Sequence, residues 1–457
     1  MQAVSFQDPR PSRRAILAAG GLAAGWALTG CSSGKKSGSA PLSPSASPSP
    51  VIRNPGSRPR PNLPEGTDTI PQIEHIVILM MENHSYDNYL GMLRRGDGLP
   101  RGADGKPTSS NPDSQGRPVR SYHFDSTCQL PKIPKQDWND SHIQWNNGRN
   151  DGFVRSGSGQ IAMGYWTADD LPFYYGLAQN FPLADRYFGS VLAQTYPNRR
   201  FLMAGTAYGQ VGDPFPSLSD PHPPNGTIFD RLSQHGITWK DYASGLASIL
   251  IIPSIYQKYP NHVFKTADFL RDAAAGTLPQ VSLVDPDFDK QSEENPQNVL
   301  VGEAFAASII NAVMQGPAWD KTLLIWCYDE HGGYYDHVPP PPAIPPDSIK
   351  PVLSAGEIPG GYDRYGFRVP CVIVSPRAKA GYVSHVVHDH TSILKLIETK
   401  WNLPAITYRD ANASNLLDSI DLKGAPAFAD PPDLPAPKNP ALGCSSGPVS
   451  SEAGALP

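Results

Sequence analysis

His75-Ile76-Val77-Ile78-Leu79-Met80-Met81 runs directly into Glu82-Asn83-His84-Ser85-Tyr86-Asp87. A run of apolar residues of this length, without polar alternation, predicts a strand buried on both faces of a parallel sheet. Val281 to Val284, Thr322 to Tyr328 and Val369 to Ser375 have the same character, and helix-period stretches at Val301 to Met314 and Thr391 to Trp401 lie between or after them. Strands alternating with helices predict a three-layer α/β/α sandwich with a mostly parallel central sheet. In such sheets, sites gather beyond the carboxyl ends of the strands. The long segment from Arg94 to Asp137, rich in Gly, Pro, Ser and Asp, is an insertion that fits either a lid or rim over the site or a plain surface loop.

The ends of the chain differ from this middle. Ser12-Arg13-Arg14-Ala15-Ile16-Leu17 opens an apolar stretch too short to span a bilayer, as in a twin-arginine export signal. Leu28-Thr29-Gly30-Cys31 then resembles a lipobox, in which Cys31 becomes the acylated N-terminus and ties the protein to a membrane. Residues 32–70 are rich in Ser, Pro and Gly, a composition expected to form a linker. The expected division is a signal over 1–31, a linker over 32–70, a catalytic domain over 71–425 and a Pro/Ala-rich tail over 426–457. A hydrophobic content of 39% suffices for a core of that size, and a formal charge of −5 gives no basic surplus to draw the chain to nucleic acid. Cys327 and Cys371 sit in apolar runs that suit buried free thiols, whereas Cys128 and Cys444 are free to pair in an oxidising compartment.

Three stretches carry candidate chemistry. Glu82 and Asn83 offer oxygen ligands for a hard or borderline divalent ion, although Asn83 and Ser85 equally suit caps for the next helix. In Gln194-Thr195-Tyr196-Pro197-Asn198-Arg199 the proline marks a helix start, which places Thr195 where free N–H groups and the helix dipole favour phosphate. A plain capping threonine is the alternative. The third stretch, Asp329-Glu330-His331-Gly332-Gly333 and then Tyr334-Tyr335-Asp336-His337, concentrates five acidic or histidine side chains just past a buried strand. Such groups are costly to bury unless they bind a cation or one another. Val387-His388-Asp389-His390 precedes the last core helix and offers either a ligand or an ordinary helix N-terminus.

ENHSYDNYLG (82–91), NNGRNDGF (146–153), TYPNRR (195–200), YDEHGGYYDHVPPP (328–341) and HDHTSILKLIE (388–398) occur in the order seen in the bacterial phospholipase C and acid phosphatase family, which this chain resembles over about residues 73–404. The resemblance implies an alkaline-phosphatase-like fold and a divalent metal held by Glu82, Asn83, Thr195, Asp329 and Glu330. It further implies that Thr195 is the nucleophile, that His142 and His331 are the candidate proton donors, and that Asp151, Asn198 and His390 lie about the substrate. Thr195-x-Pro197-Asn198 is also similar to the nucleophile motif of nucleotide pyrophosphatase/phosphodiesterases. One departure stands out. Where relatives carry a histidine before the proline of the segment at 292–296, this chain has Asn295, which holds a phosphate oxygen but transfers no proton at neutral pH. The resulting expectation is a phosphoric ester hydrolase acting on a phospholipid diester as a phospholipase C. An acid phosphatase is the near alternative, and a binding lipoprotein with impaired catalysis the distant one.

Overall fold

The computed structural model describes residues 51–129 and 133–439. The expected export signal, the expected lipid-bearing Cys31, residues 32–50 of the expected linker and Cys444 therefore lie outside the described residues. Eight strands form the main sheet: β1 (His75–Met81), β2 (Leu183–Ala184), β3 (Trp239–Ala243), β4 (Val263–Phe264), β5 (Val281–Asp285), β6 (Thr322–Tyr328), β7 (Cys371–Val374) and β8 (Val383–Ser384). Their spatial order is β8-β2-β7-β6-β1-β5-β3-β4. Only β7 runs antiparallel to its neighbours, β6 and β2; the other pairs are parallel. Helices cover both sides of the sheet, as parallel strands require, because neither of their faces tolerates water. All of β6, and all of β1 after His75, is buried.

The helices that matter here are α1 (Tyr86–Leu90), α2 (Trp138–Trp145), α3 (Pro172–Asn180), α4 (Thr195–Ala204), α5 (Val299–Gln315) and α6 (His390–Trp401). The predicted stretches at 301–314 and 391–401 extend by one or two residues at each end or at the start. Asn298 caps α5 by accepting from Leu300 N–H, and Asp389 forms a capping box with Ser392 at α6. Cys327 and Cys371 are buried free thiols, as expected. Cys128 is disulfide-bonded to a partner outside the described residues.

The folded body is larger than the composition suggests. Gly56 N–H donates to Ala405 O (2.8 Å) and Thr69 N–H to Lys400 O (2.6 Å), while Ile70 is buried. The Asn402 amide, just past α6, donates to Arg60 O, Leu63 O and Pro64 O. Residues 52–70 are thus fastened to the end of α6 by polar contacts instead of apolar area, which is why a hydrophobicity argument assigned them to the linker. The start of the expected tail is also packed. Trp319 Nε1–H donates to Phe428 O (3.0 Å), Phe428 stacks near Phe181, and Pro435 lies against Gly176 of α3. Between Arg94 and Asp137 a short hairpin pairs 110–112 with 118–120, and the buried Asn111 ties it to Asn150 and Phe153. The described part of the insertion is thus built around this hairpin and joined by it to the segment after α2.

Candidate active site

Register builds the site. Met81 and Tyr328 are paired at the carboxyl ends of the parallel neighbours β1 and β6, so Glu82 and Asp329 leave the sheet side by side, with Asp285 at the same end of β5. Asn83 has a positive φ of 69°, which Asn tolerates better than most residues. Its N–H donates to Asp329 Oδ1 (3.1 Å), as does the N–H of Glu330 (2.7 Å). Ser85, and not Asn83, caps α1 by accepting from Asn88 N–H. The Asn83 side chain is therefore left for the site. Gly332 explains one of the paired glycines, since its φ is 65° and a Cβ there would fall 1.7 Å from Asn83 O.

Thr195 is the first residue of α4 and 6% exposed. Its Oγ1 lies 3.3 Å from Asn83 Oδ1, and the same amide atom position is 3.3 Å from Asp329 Oδ1 and 2.6 Å from Glu330 Oε1. Four oxygens converge here, and two bare acceptors at 2.6 Å repel unless a proton or a cation lies between them. Either the amide turns its NH2 group inward or a cation is bound. Glu82 Oε2 is buried with no hydrogen-bond partner among the described residues. Among the described residues the cation paired with this cluster is Arg199, fully buried on α4 one turn beyond Thr195, which meets Asp285 (2.8 Å), Asp329 (3.2 Å) and Glu82 (3.7 Å). One guanidinium cannot neutralise these three carboxylates and Glu330 as well. Burial, reinforced by the neighbouring acids, pushes Glu82 and Glu330 well above the usual carboxylate range; Asp329 is also raised by burial, with Arg199 opposing. Oxygen donors, an orphaned carboxylate atom and surplus negative charge fit a divalent ion held by Glu82, Asn83, Thr195, Asp329 and Glu330.

The other expected site residues divide. His142, on α2, donates from Nδ1 to Trp138 O (2.7 Å), which leaves Nε2, close to Gly360, as an acceptor without a hydrogen-bond partner among the described residues, and burial lowers its pKa. Trp138 packs with Val191, Ala193 and Phe201, so α2 borders the loop leading into Thr195. His331 is buried with both ring nitrogens engaged, Nε2 with Gln144 Oε1 (2.6 Å) and Nδ1 with Glu330 Oε2 (3.1 Å). It positions Glu330 and has no ring nitrogen left to serve a leaving group. Asn198 is likewise a positioning residue and not a substrate contact: its Oδ1 accepts from Ser190 and Val191 N–H, and its Nδ2 donates to Ala193 O and Gln194 O. His390 is buried beneath the turn, donating to Asp329 O (2.6 Å) with Tyr187 OH at 3.2 Å, so it braces Asp329. Asp151 accepts from Asn146 and Arg155 in a partly exposed network past α2. Asn295 donates to Tyr334 OH (2.7 Å), which uses one of its two N–H groups and orients the amide, while its Oδ1 is buried without a partner among the described residues. From the same loop it is Glu294 that acts electrostatically on Glu82 and Asp329, with a pKa pushed up to about 7 by burial and then by Asp329.

Three features around the site are not legible in the sequence. Arg199 stood inside a quoted motif, but an arginine in a helix reads as a surface residue until its partners are known. Glu293 is a buried carboxylate that accepts from the hydroxyls of Tyr89, Tyr174 and Tyr328 and anchors the 292–296 loop beside Glu82. The third is that Asp336 and His337, which the sequence groups with Asp329, Glu330 and His331, instead join Asp87 in a second cluster whose ligand atoms lie within 4.8 Å of one another. It already holds a cation. Buried Arg368 donates to Asp336 Oδ1 (2.8 Å), Asp336 Oδ2 (3.1 Å) and Asp87 Oδ1 (3.2 Å), while His337 Nδ1 is 2.7 Å from Asp87 Oδ2.

A buried oxygen cluster with a threonine at a helix start, set at the carboxyl end of a parallel sheet, belongs to a phosphoric ester hydrolase, and the relatives agree. Residues 73–404 match the Phosphoesterase family, and the chain belongs to that family. Phospholipase C B of Mycobacterium tuberculosis is 31% identical over 429 residues, covering 81% of each chain. The non-hemolytic phospholipase C of Pseudomonas aeruginosa is 31% identical over 420 residues, covering 80% of this chain and 59% of that one. Non-specific phospholipase C6 of Arabidopsis thaliana is 28% identical, covering 79% and 75%. Among solved structures, a protein in the alkaline phosphatase superfamily from Vibrio parahaemolyticus superimposes with a TM-score of 0.36 at 13% identity, covering 66% and 76%.

Proposed function

We propose that this chain is a divalent-metal-dependent phospholipase C that cleaves a phospholipid diester through a phospho-threonine on Thr195, exported and tied to the membrane by lipid on Cys31. The observation that carries the reading is the convergence of Thr195 Oγ1 with the oxygens of Asn83, Asp329 and Glu330. When bound there, a divalent ion supplies Lewis acidity, favouring the alkoxide of Thr195 and offsetting charge on the phosphoryl oxygens. Arg199 holds Asp329, Asp285 and Glu82 in place. Thr195 Oγ1 attacks phosphorus and the bond to the lipid alcohol breaks. His142, with its free Nε2, takes the threonine proton and returns it to the departing alcohol. In the second half, water attacks the phospho-threonine, the bond from phosphorus to Thr195 Oγ1 breaks, and His142 takes the water's proton and passes it to Oγ1, restoring the hydroxyl. Two inversions give retention at phosphorus.

Glu294 and Asp213, both pushed up to about 7 by burial, add part of a negative charge each close to the cluster at neutral pH. This favours a diester monoanion over the dianion of a monoester, and so phospholipase C over acid phosphatase. The test is hydrolysis of p-nitrophenylphosphorylcholine and p-nitrophenyl phosphate by the wild type and Thr195→Ala, with and without chelator. The expected result is cleavage of the choline diester that is lost in the variant and in chelator. Cleavage of the monoester alone would make the enzyme an acid phosphatase, and turnover of neither substrate would favour the binding lipoprotein.

A further inference from the structure

The loop over the start of α4 is fixed to the active site at its base and apolar at its tip. Asp213 accepts from Tyr196 N–H (2.7 Å), next to Thr195, and Gly212 O accepts from Arg200. Beyond this anchor, Phe215 stands between Pro214 and Pro216 and is 61% exposed. Leu218, also 61% exposed, stands in a closed turn in which Asp220 N–H donates to Ser217 O and Ser217 N–H to Asp220 Oδ2. Val352, 74% exposed, is joined to the root of this loop by its N–H on Gly209 O (2.7 Å). The rim continues to α2: Tyr362 OH donates to Gln210 O and Trp138 Nε1–H to Ile358 O, and Ile143 is exposed beside His142. Prolines and a closed turn present these side chains with little conformational freedom left to lose. Across 135–145, 209–226 and 347–358 there are six acidic side chains and two lysines. Such a rim repels an anionic surface and suits a neutral one.

The geometry points to this rim as the surface that docks the enzyme on a zwitterionic phospholipid layer, with Phe215, Leu218 and Val352 entering the acyl boundary beside Thr195. The inference rests on the phospholipase C reading. Docking by apolar side chains against a net acidic rim requires a lipid face without net negative charge, so phosphatidylcholine is the surface it fits.

The test uses the full chain with Cys31→Ser, so that no attached acyl chain contributes. Flotation with phosphatidylcholine vesicles is measured in a Thr195→Ala background, with and without Phe215→Ser/Leu218→Ser. In parallel, catalytically intact protein is assayed on the same vesicles and on soluble p-nitrophenylphosphorylcholine. The double variant is expected to lose vesicle binding and vesicle hydrolysis by at least about tenfold, while its rate on the soluble diester stays within about twofold. Equal vesicle binding by the double variant would overturn the inference, as would wild-type binding that requires anionic lipid and vanishes in about 0.5 M salt. Soluble diester cleaved without vesicle binding would sink the docking surface and leave the activity standing. Rim-dependent vesicle binding with no diester cleavage would do the reverse.

Discussion

Asp87, Asp336 and His337 surround the guanidinium of Arg368, whereas Glu82 and Asp329 share Arg199 with Asp285, and Asn83 and Glu330 stand beside them. Both clusters draw on the segments after the same two strands, β1 and β6, and both are buried. In the first, Arg368 and His337 answer the two carboxylates, so the cluster is closed and structural. In the second, Glu82 Oε2 has no partner among the described residues and the Asn83 amide crowds Glu330. Acidic density alone does not mark a metal site. What matters is whether the fold has already supplied the cation.

This contrast can be pressed experimentally. The largest effect belongs to Thr195, which borders only the second cluster: Thr195→Ala should lower kcat by about a thousandfold or more while far-UV and near-UV dichroism stay unchanged. Next comes Arg368→Met, which strands Asp87 and Asp336 without a buried cation. It should cost about 3–5 kcal/mol in urea unfolding yet leave divalent-ion affinity per folded molecule unaltered. A smaller effect separates the clusters by pH. Glu82 and Glu330 are raised by burial, so protons occupy them more fully in the ion-free protein than in free carboxylates. Ion binding must displace these protons. Affinity should therefore rise with pH, and calorimetry in two buffers of different ionisation enthalpy should show proton release. The smallest effect serves as a control at a carboxylate that belongs to neither cluster. Burial alone would raise Asp418, but bonds from His388 and Ser384 hold it down to about 2. Its contribution is present above the unfolded value near 4 and is lost as pH falls through about 2. Asp418→Asn should cost about 1 kcal/mol at pH 7, discounted for its partial exposure, and the difference from wild type should vanish in strong acid.

The strands were legible because burial on both faces writes an unbroken apolar run, and β1 and β6 fall at the predicted residues. Ligand candidates were legible because they follow those strands directly. What could not be read was which polar atoms stay free. Asn198, His331, His390 and Asn295 sit in or beside the expected motifs, yet their hydrogen bonds go to neighbouring loops, rings and carbonyls. Arg368 lies 281 residues from Asp87, so no local pattern announces that it fills that cluster. The linker boundary failed for a related reason. Residues 52–70 are held by the Asn402 amide and by Lys400, whose ammonium pairs with Asp68 at 2.9 Å, and composition does not register such contacts.

Calorimetric titration of Mn2+ into the wild type, Glu330→Gln and Asp336→Asn, at a temperature where all three are folded, addresses the central claim most directly. One site is expected in the wild type, weakened at least about tenfold by Glu330→Gln and left within about twofold by Asp336→Asn. The account is contradicted if the wild type binds no ion, or if Asp336→Asn abolishes binding while Glu330→Gln leaves it intact.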